Sequence, residues 1–159
     1  MAHKITPSRR KFGIAKRAAQ ELLNIYGNDL KAVYVAGSVA SNMAVPGSDI
    51  DMALILEKNG PNVEKCHELR IFLFEKLGQI FHISAWSPES FKNGIKRGDV
   101  KGIIPLFERE NYLSSIARAH GLFPKREEII DRYGNAKKDI SKRMPFKRST
   151  TGRKRFLPR

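Results

Sequence analysis

Cysteine is nearly missing from this 159-residue chain, and the single one, Cys66, excludes an internal disulfide framework and any four-cysteine zinc site. Long hydrophobic runs are missing as well. Val33–Gly37 and Met52–Leu56 are the longest, far short of the ~20 apolar residues that a membrane helix needs, so no membrane partner is expected. No apolar segment opens the sequence, and a cytoplasmic location is the default expectation. Acid is missing from both ends. Residues 1–20 hold Lys4, Arg9, Arg10, Lys11, Lys16 and Arg17 with no Asp or Glu, and residues 140–159 hold Lys142, Arg143, Lys147, Arg148, Arg153, Lys154, Arg155 and Arg159 with none. These two clusters account for the whole formal net charge of +14, and the stretch between them is neutral.

What remains is ordinary globular material. A hydrophobic content of 41% and a charged content of 29% fit one domain with a real core and two basic appendages. Clustered Arg and Lys suit a polyanion, because each phosphate contact releases condensed counterions. Nucleic acid, RNA or DNA, is therefore the first expected partner, with Arg9, Arg10, Lys11, Lys142, Arg143, Lys147, Arg148, Arg153, Lys154 and Arg155 as contacts. Ser149-Thr150-Thr151-Gly152 separates the last basic groups between Pro145 and Pro158, a composition expected of a flexible tail.

Along the chain, Thr6-Pro7 caps a helix that the apolar spacing carries to Tyr26 and Gly27 ends. Leu30–Ala36 and Asp49–Glu57 read as two neighbouring strands. Val63–Leu77 reads as a helix closed by Gly78, Gln79–Trp86 as a third strand, and Ser87-Pro88 as the start of another helix running to about Arg97. Gly102–Phe107 is expected to be an edge strand because it contains Pro105. Helices are expected over 110–119 and about 125–143. The expected fold class is α/β (α+β), a small mixed sheet of about four strands flanked by helices. Its expected divisions are a basic N-terminal helix packed on the core (1–27), the core (28–109), a C-terminal helical segment (110–143) and the basic tail (144–159).

The chemistry concentrates in Val33-Tyr34-Val35-Ala36-Gly37-Ser38, ten further residues, and Asp49-Ile50-Asp51 followed by Met52–Leu56. Aspartates at i and i+2 of a strand share one face, about 7 Å apart by strand rise. Side by side they repel unless a cation neutralises them, and hard oxygen ligands suit magnesium, which takes one or two carboxylates together with substrate phosphates. If Gly37-Ser38 opens a helix, its backbone amides and the Ser38 hydroxyl favour phosphate.

This arrangement resembles the DNA polymerase beta superfamily of nucleotidyltransferases, most of all its minimal members, among which are antitoxins that transfer adenylate to a partner toxin. The resemblance rests on Gly37-Ser38, the ten-residue spacer and the Asp49-Ile50-Asp51 element, and covers residues 30 to about 91. It implies a nucleotidyltransferase-like fold, two magnesium ions held by Asp49 and Asp51, a nucleoside triphosphate such as ATP as substrate, and an attacking hydroxyl that displaces pyrophosphate. The family usually places a third carboxylate on the next strand. Here no Asp or Glu lies between Glu75 and Glu89, and alignment puts His82 at that place. An imidazole can accept a proton or bind a metal, so Asp49, Asp51 and His82 are the expected catalytic set.

Lys92 and Lys96, with Arg97, form a basic helical face that could meet the triphosphate alongside Gly37 and Ser38. Cys66, His67, His3 and His120 lack zinc-ligand spacing. Tyr34, Phe72, Phe74, Phe81 and Trp86 read as core. The expected function is nucleotidyl transfer to a hydroxyl acceptor, nucleic acid in view of the charge. The alternatives are a non-catalytic nucleic-acid-binding protein on the same fold and an antitoxin-type enzyme that modifies a protein partner such as a toxin subunit.

Overall fold

Thr6, in extended conformation, accepts a hydrogen bond from the Arg9 backbone N–H at 3.2 Å, and Pro7 follows at the first helical position, so α1 starts where its cap and proline dictate (Pro7–Tyr26). The computed structural model describes residues 5–58 and 63–124. After α1 come β1 (Leu30–Ala36), α2 (Gly37–Ala40), β2 (Ile50–Leu56), α3 (Val63–Leu77), β3 (Phe81–Trp86), α4 (Pro88–Arg97), β4 (Ile104–Glu108) and α5 (Tyr112–His120).

The sheet runs in the order β3-β2-β1-β4. β1 pairs with β2 antiparallel, Ala36 lying opposite Asp51, and with β4 antiparallel on its other side. β2 pairs with β3 parallel, α3 making the crossover, and Asp51 lies opposite His82. The mixed four-strand sheet flanked by helices is thus the fold class that the sequence implies. Pro105 occupies the edge strand β4 beside a register shift opposite Val33 and Tyr34, where a missing N–H loses no essential ladder bond.

Both faces of the sheet are covered, which explains why β1 and β2 read as near-continuous apolar runs. On one face α1 and α3 pack Ala15, Ala18, Leu22, Leu69 and Leu73 against Val33, Val35, Met52 and Leu54. Alanines along the buried stripe of α1 let its backbone approach the strands closely. On the other face Phe91 of α4 and Leu113 and Ala117 of α5 meet Ala32, Tyr34, Ala53 and Ile55. Strand alternation sends Asp51 and His82 to this second face.

Four expectations need adjustment. The third strand begins at Phe81, because Gln79 spends its side chain on the Ser48 and Ile80 carbonyls at 3.3 and 2.9 Å. Phe74 is half-exposed on α3 and is not core. Lys11, expected among the nucleic-acid contacts, is buried instead: it falls on the inner stripe of α1 and donates to Gln79 Oε1 at 3.0 Å. α5 does not stand apart from the core, since Leu113 and Ala117 belong to the cluster on the second face. The helix expected over 125–143 and the tail 144–159, with Lys142, Arg143, Lys147, Arg148, Arg153, Lys154 and Arg155, lie outside the described residues.

Candidate active site

β1 delivers the chain to Gly37, and the antiparallel return of β2 brings Asp51 back against the same turn. Gly37 has φ +64°, and a Cβ there would stand 2.0 Å from Asp51 Oδ2, so only glycine fits. α2 is a single turn and contributes little dipole. Its N-cap residue, Ala36, offers no side-chain hydrogen bond, which leaves the first amides of the turn available to an anion, and the Ser38 hydroxyl has no partner among the described residues. The Ser38 and Gly37 carbonyls hold the turn closed by accepting from the Met43 and Ser41 backbone N–H groups at 2.7 and 3.0 Å.

The loop that leads to Asp49 is braced from behind. Ser8 of α1 accepts from the Ala44 N–H at 2.9 Å, and the Lys11–Gln79–Ser48 chain ties α1 to the residue before Asp49. Asp49 is exposed just ahead of β2. Asp51 keeps 44% of its side chain exposed, and its Oδ1 lies 3.5 Å from Nδ1 of His82, which is 68% exposed, so both are within reach of a substrate. Partial burial pushes the Asp51 carboxyl above the ordinary carboxylate range; His82 opposes that and the neighbouring Asp49 carboxylate adds to it. A divalent cation beside Asp51 would offset both its burial and the neighbouring charge of Asp49.

Asp49 and Asp51 are hard oxygen donors of the type magnesium takes alongside substrate phosphates. Among the described residues no three His, Cys, Asp or Glu side chains converge as a metal cluster. Below the carboxylates the face is sealed by aromatics. Trp86 Nε1 donates to the Tyr34 hydroxyl at 3.0 Å, and Phe91 packs 5.9 Å from both rings. Gly94 lets α4 settle on Trp86, since a Cβ would meet the indole at 2.6 Å.

The nucleotidyltransferase domain model matches residues 15–113, from the middle of α1 into α5 and across the whole Gly37–Asp51–His82 corner. The chain belongs to the nucleotidyltransferase domain family. Solved structures similar to this nucleotidyltransferase domain include a candidate nucleotidyltransferase from Sulfolobus solfataricus, at 21% identity over 65% of this chain and 86% of that one, with a TM-score of 0.45. A toxin–antitoxin complex with AMP-PNP is similar at 18% identity over 74% and 97%, TM-score 0.47. A complex of a tri-AMPylated Shewanella oneidensis HEPN toxin with its MNT antitoxin is similar at 17% over 76% and 97%, TM-score 0.42. Comparison with curated proteins gave no match.

The structure brings together four of the residues singled out in the sequence: Gly37 and Ser38 on the turn, Asp51 against Gly37, and His82 against Asp51. Asp49 stands two residues before Asp51, exposed and just ahead of β2. Lys92 and Lys96 are exposed on α4, and among the described residues no hydrogen bond or ion pair ties them to this corner. Arg9 and Arg10 are exposed at the start of α1. Sequence reasoning missed the bracing role of Lys11 and Gln79, whose separation of 68 positions leaves no local signal.

Proposed function

We propose that this nucleotidyltransferase domain transfers a nucleoside monophosphate from a nucleoside triphosphate to a hydroxyl at the end of a nucleic-acid strand, in a magnesium-dependent reaction. The observation that carries it is the convergence of the Gly37 turn, Asp51 and His82 within one corner of the sheet. Asp49 and Asp51 would hold magnesium, and the Gly37–Ser38 amides, the Ser38 hydroxyl and Lys92 and Lys96 would take the triphosphate. Bound magnesium supplies the charge that polarises the α-phosphoryl group and neutralises the pyrophosphate.

In the transfer step the acceptor oxygen bonds to the α-phosphorus while the bond from that phosphorus to the bridging oxygen breaks. Pyrophosphate leaves with the electron pair. The hydroxyl proton goes to His82. Its Nδ1 faces the Asp51 carboxylate, so the neutral ring that donates from Nδ1 keeps a lone pair at Nε2 for that proton. If so, His82→Ala lowers turnover by at least about tenfold, a floor below the ~10²–10⁴-fold that a general base typically supplies, while His82→Asp retains or raises it. Unchanged turnover in the alanine variant removes His82 from the chemistry.

The acceptor class rests on charge. The basic residues at the two ends have no acids among them, and a nucleic-acid strand offers them phosphates. Removing residues 145–159 deletes Lys147, Arg148, Arg153, Lys154, Arg155 and Arg159. If all six are engaged on duplex DNA, the salt slope of log affinity shrinks by about 5. Binding to a mixed oligonucleotide at several salt concentrations measures it, and an unchanged slope takes the tail out of the interface. The reaction itself is tested by transfer of label from each of the four nucleoside triphosphates, with magnesium, to RNA, DNA and co-purifying protein. Label in protein alone identifies the antitoxin-type reading, and nucleic-acid binding with no label identifies the non-catalytic one.

A further inference from the structure

A groove of about 750 Å³ runs along the outer edge of β3, between that strand and the first half of α3. Val63, Glu64, His67 and Arg70 belong to its helical wall, with the Glu64 carboxylate one to two turns before Arg70, and His82, Ile83 and Ala85 belong to its strand wall. We propose that this groove is the acceptor path, holding the terminal nucleotides of a single strand of nucleic acid with Arg70 on the phosphodiester nearest the reacting hydroxyl. The proposal rests on the transfer reaction given above and specifies where its acceptor lies.

Three observations carry it. The groove and the candidate active site share His82, which lines the groove at the edge of β3 and stands 3.5 Å from Asp51 on the sheet face opposite α3. A single strand that leaves the groove and rounds this edge at His82 would bring its end to the carboxylates. Arg70 is preset for an anion. Its Nε donates to the Phe81 carbonyl at 3.0 Å, which anchors the arm, and among the described residues no carboxylate pairs with it, so the terminal guanidinium N–H groups remain to be used. A planar, delocalised cation held in this way fits a phosphodiester. His67 lies one turn before Arg70 on the same side of α3 and is exposed, so its ring is open to a base or sugar, with Ala85 and the largely buried Ile83 on the strand side of the groove.

A peptide added to the open edge of β3 is the competing occupant. Strand addition needs the outward backbone groups of that edge, and Arg70 already takes the Phe81 carbonyl at the end nearest His82. That contact closes the edge to a strand where a reacting residue would have to sit, and it leaves the groove to a ligand that binds through phosphates.

The test is steady-state transfer from labelled nucleoside triphosphate to a short single-stranded RNA, with Arg70→Ala, Arg70→Lys and His67→Glu beside the wild type. Arg70→Ala is expected to raise the KM for the oligonucleotide by about tenfold to a hundredfold, the range for loss of a charged hydrogen bond. The KM for the triphosphate and the kcat at saturating oligonucleotide stay within about twofold, and Arg70→Lys restores part of the loss. His67→Glu leaves the Phe81 contact intact, so it separates the groove from the fold, and its added negative charge is expected to raise the same KM. An unchanged oligonucleotide KM in both Arg70→Ala and His67→Glu overturns the proposal, as does a rise confined to the triphosphate KM. Transfer to protein with none to oligonucleotide overturns it together with the acceptor class. If the wild type transfers nothing, the reaction falls by itself, and the affinity of the RNA measured by fluorescence anisotropy decides the groove: equal Kd for wild type and both variants overturns it.

Discussion

Asp49→Ala combined with Asp51→Ala is expected to lower nucleotidyl transfer at least ~10³-fold while the fold survives. On the proposed mechanism, removing both carboxylates takes away the ligands for the cation, and several kcal/mol of transition-state charge stabilisation goes with them. The fold should not suffer, because Asp49 is exposed, Asp51 is half-buried, and their mutual repulsion together with the burial of Asp51 opposes the ionised form of Asp51. Asp51→Asn is accordingly expected to melt no lower than wild type. Thermal melting supplies a readout that does not depend on turnover: millimolar magnesium with a non-hydrolysable triphosphate should raise the Tm of the wild type and leave the double variant unmoved. Full transfer by the double variant would remove these aspartates from the mechanism.

Gly37→Ala should be nearly as damaging, for a reason that lies in the backbone. The position has φ +64°, which for an L-residue costs roughly 1–2 kcal/mol, and the new methyl would be placed 2.0 Å from Asp51 Oδ2. Either the turn opens or the carboxylate swings away. A displacement of about 1 Å in a catalytic group suffices for a loss of ~10²-fold, so kcat/KM should fall by at least that factor while the Tm drops by a few degrees. Gly13→Ala is the control. It lies in the middle of α1 with nothing within 4 Å of the added methyl, and it should leave activity alone while slightly raising stability. Equal activity of the two alanine variants would mean that the tight approach of Gly37 to Asp51 has no role in catalysis.

The same physical reason explains why the central corner was legible in the sequence. A strand that must be buried on both faces and then present two carboxylates at its start can only read as apolar residues interrupted by Asp49 and Asp51, and the turn that faces it can only be glycine. These are local requirements. The caps at Thr6 and Ser87 and the prolines at the first helical positions are local too, which is why α1 and α4 start where the sequence places them. Lys11 shows the opposite case. In the sequence it is one basic residue among Arg9, Arg10, Lys16 and Arg17, and only its position on the inner stripe of α1 sends it into the protein.

What the sequence by itself determined among the described residues is therefore the main helices and the four strands to within a few residues, the mixed sheet they form, and the Gly37-Ser38 and Asp49-Ile50-Asp51 pair, because burial period, cap chemistry and backbone stereochemistry act over a few neighbouring residues. What the tertiary structure decided is which distant side chains meet. The parallel register of β2 and β3 sets His82 opposite Asp51, a match that sequence alignment could suggest and that strand pairing makes physical. The 68-residue link from Lys11 to Gln79 and the placing of Arg70 on the carbonyl of Phe81 have no counterpart in local pattern, since such contacts depend on how helices are laid over the sheet once the whole core has closed.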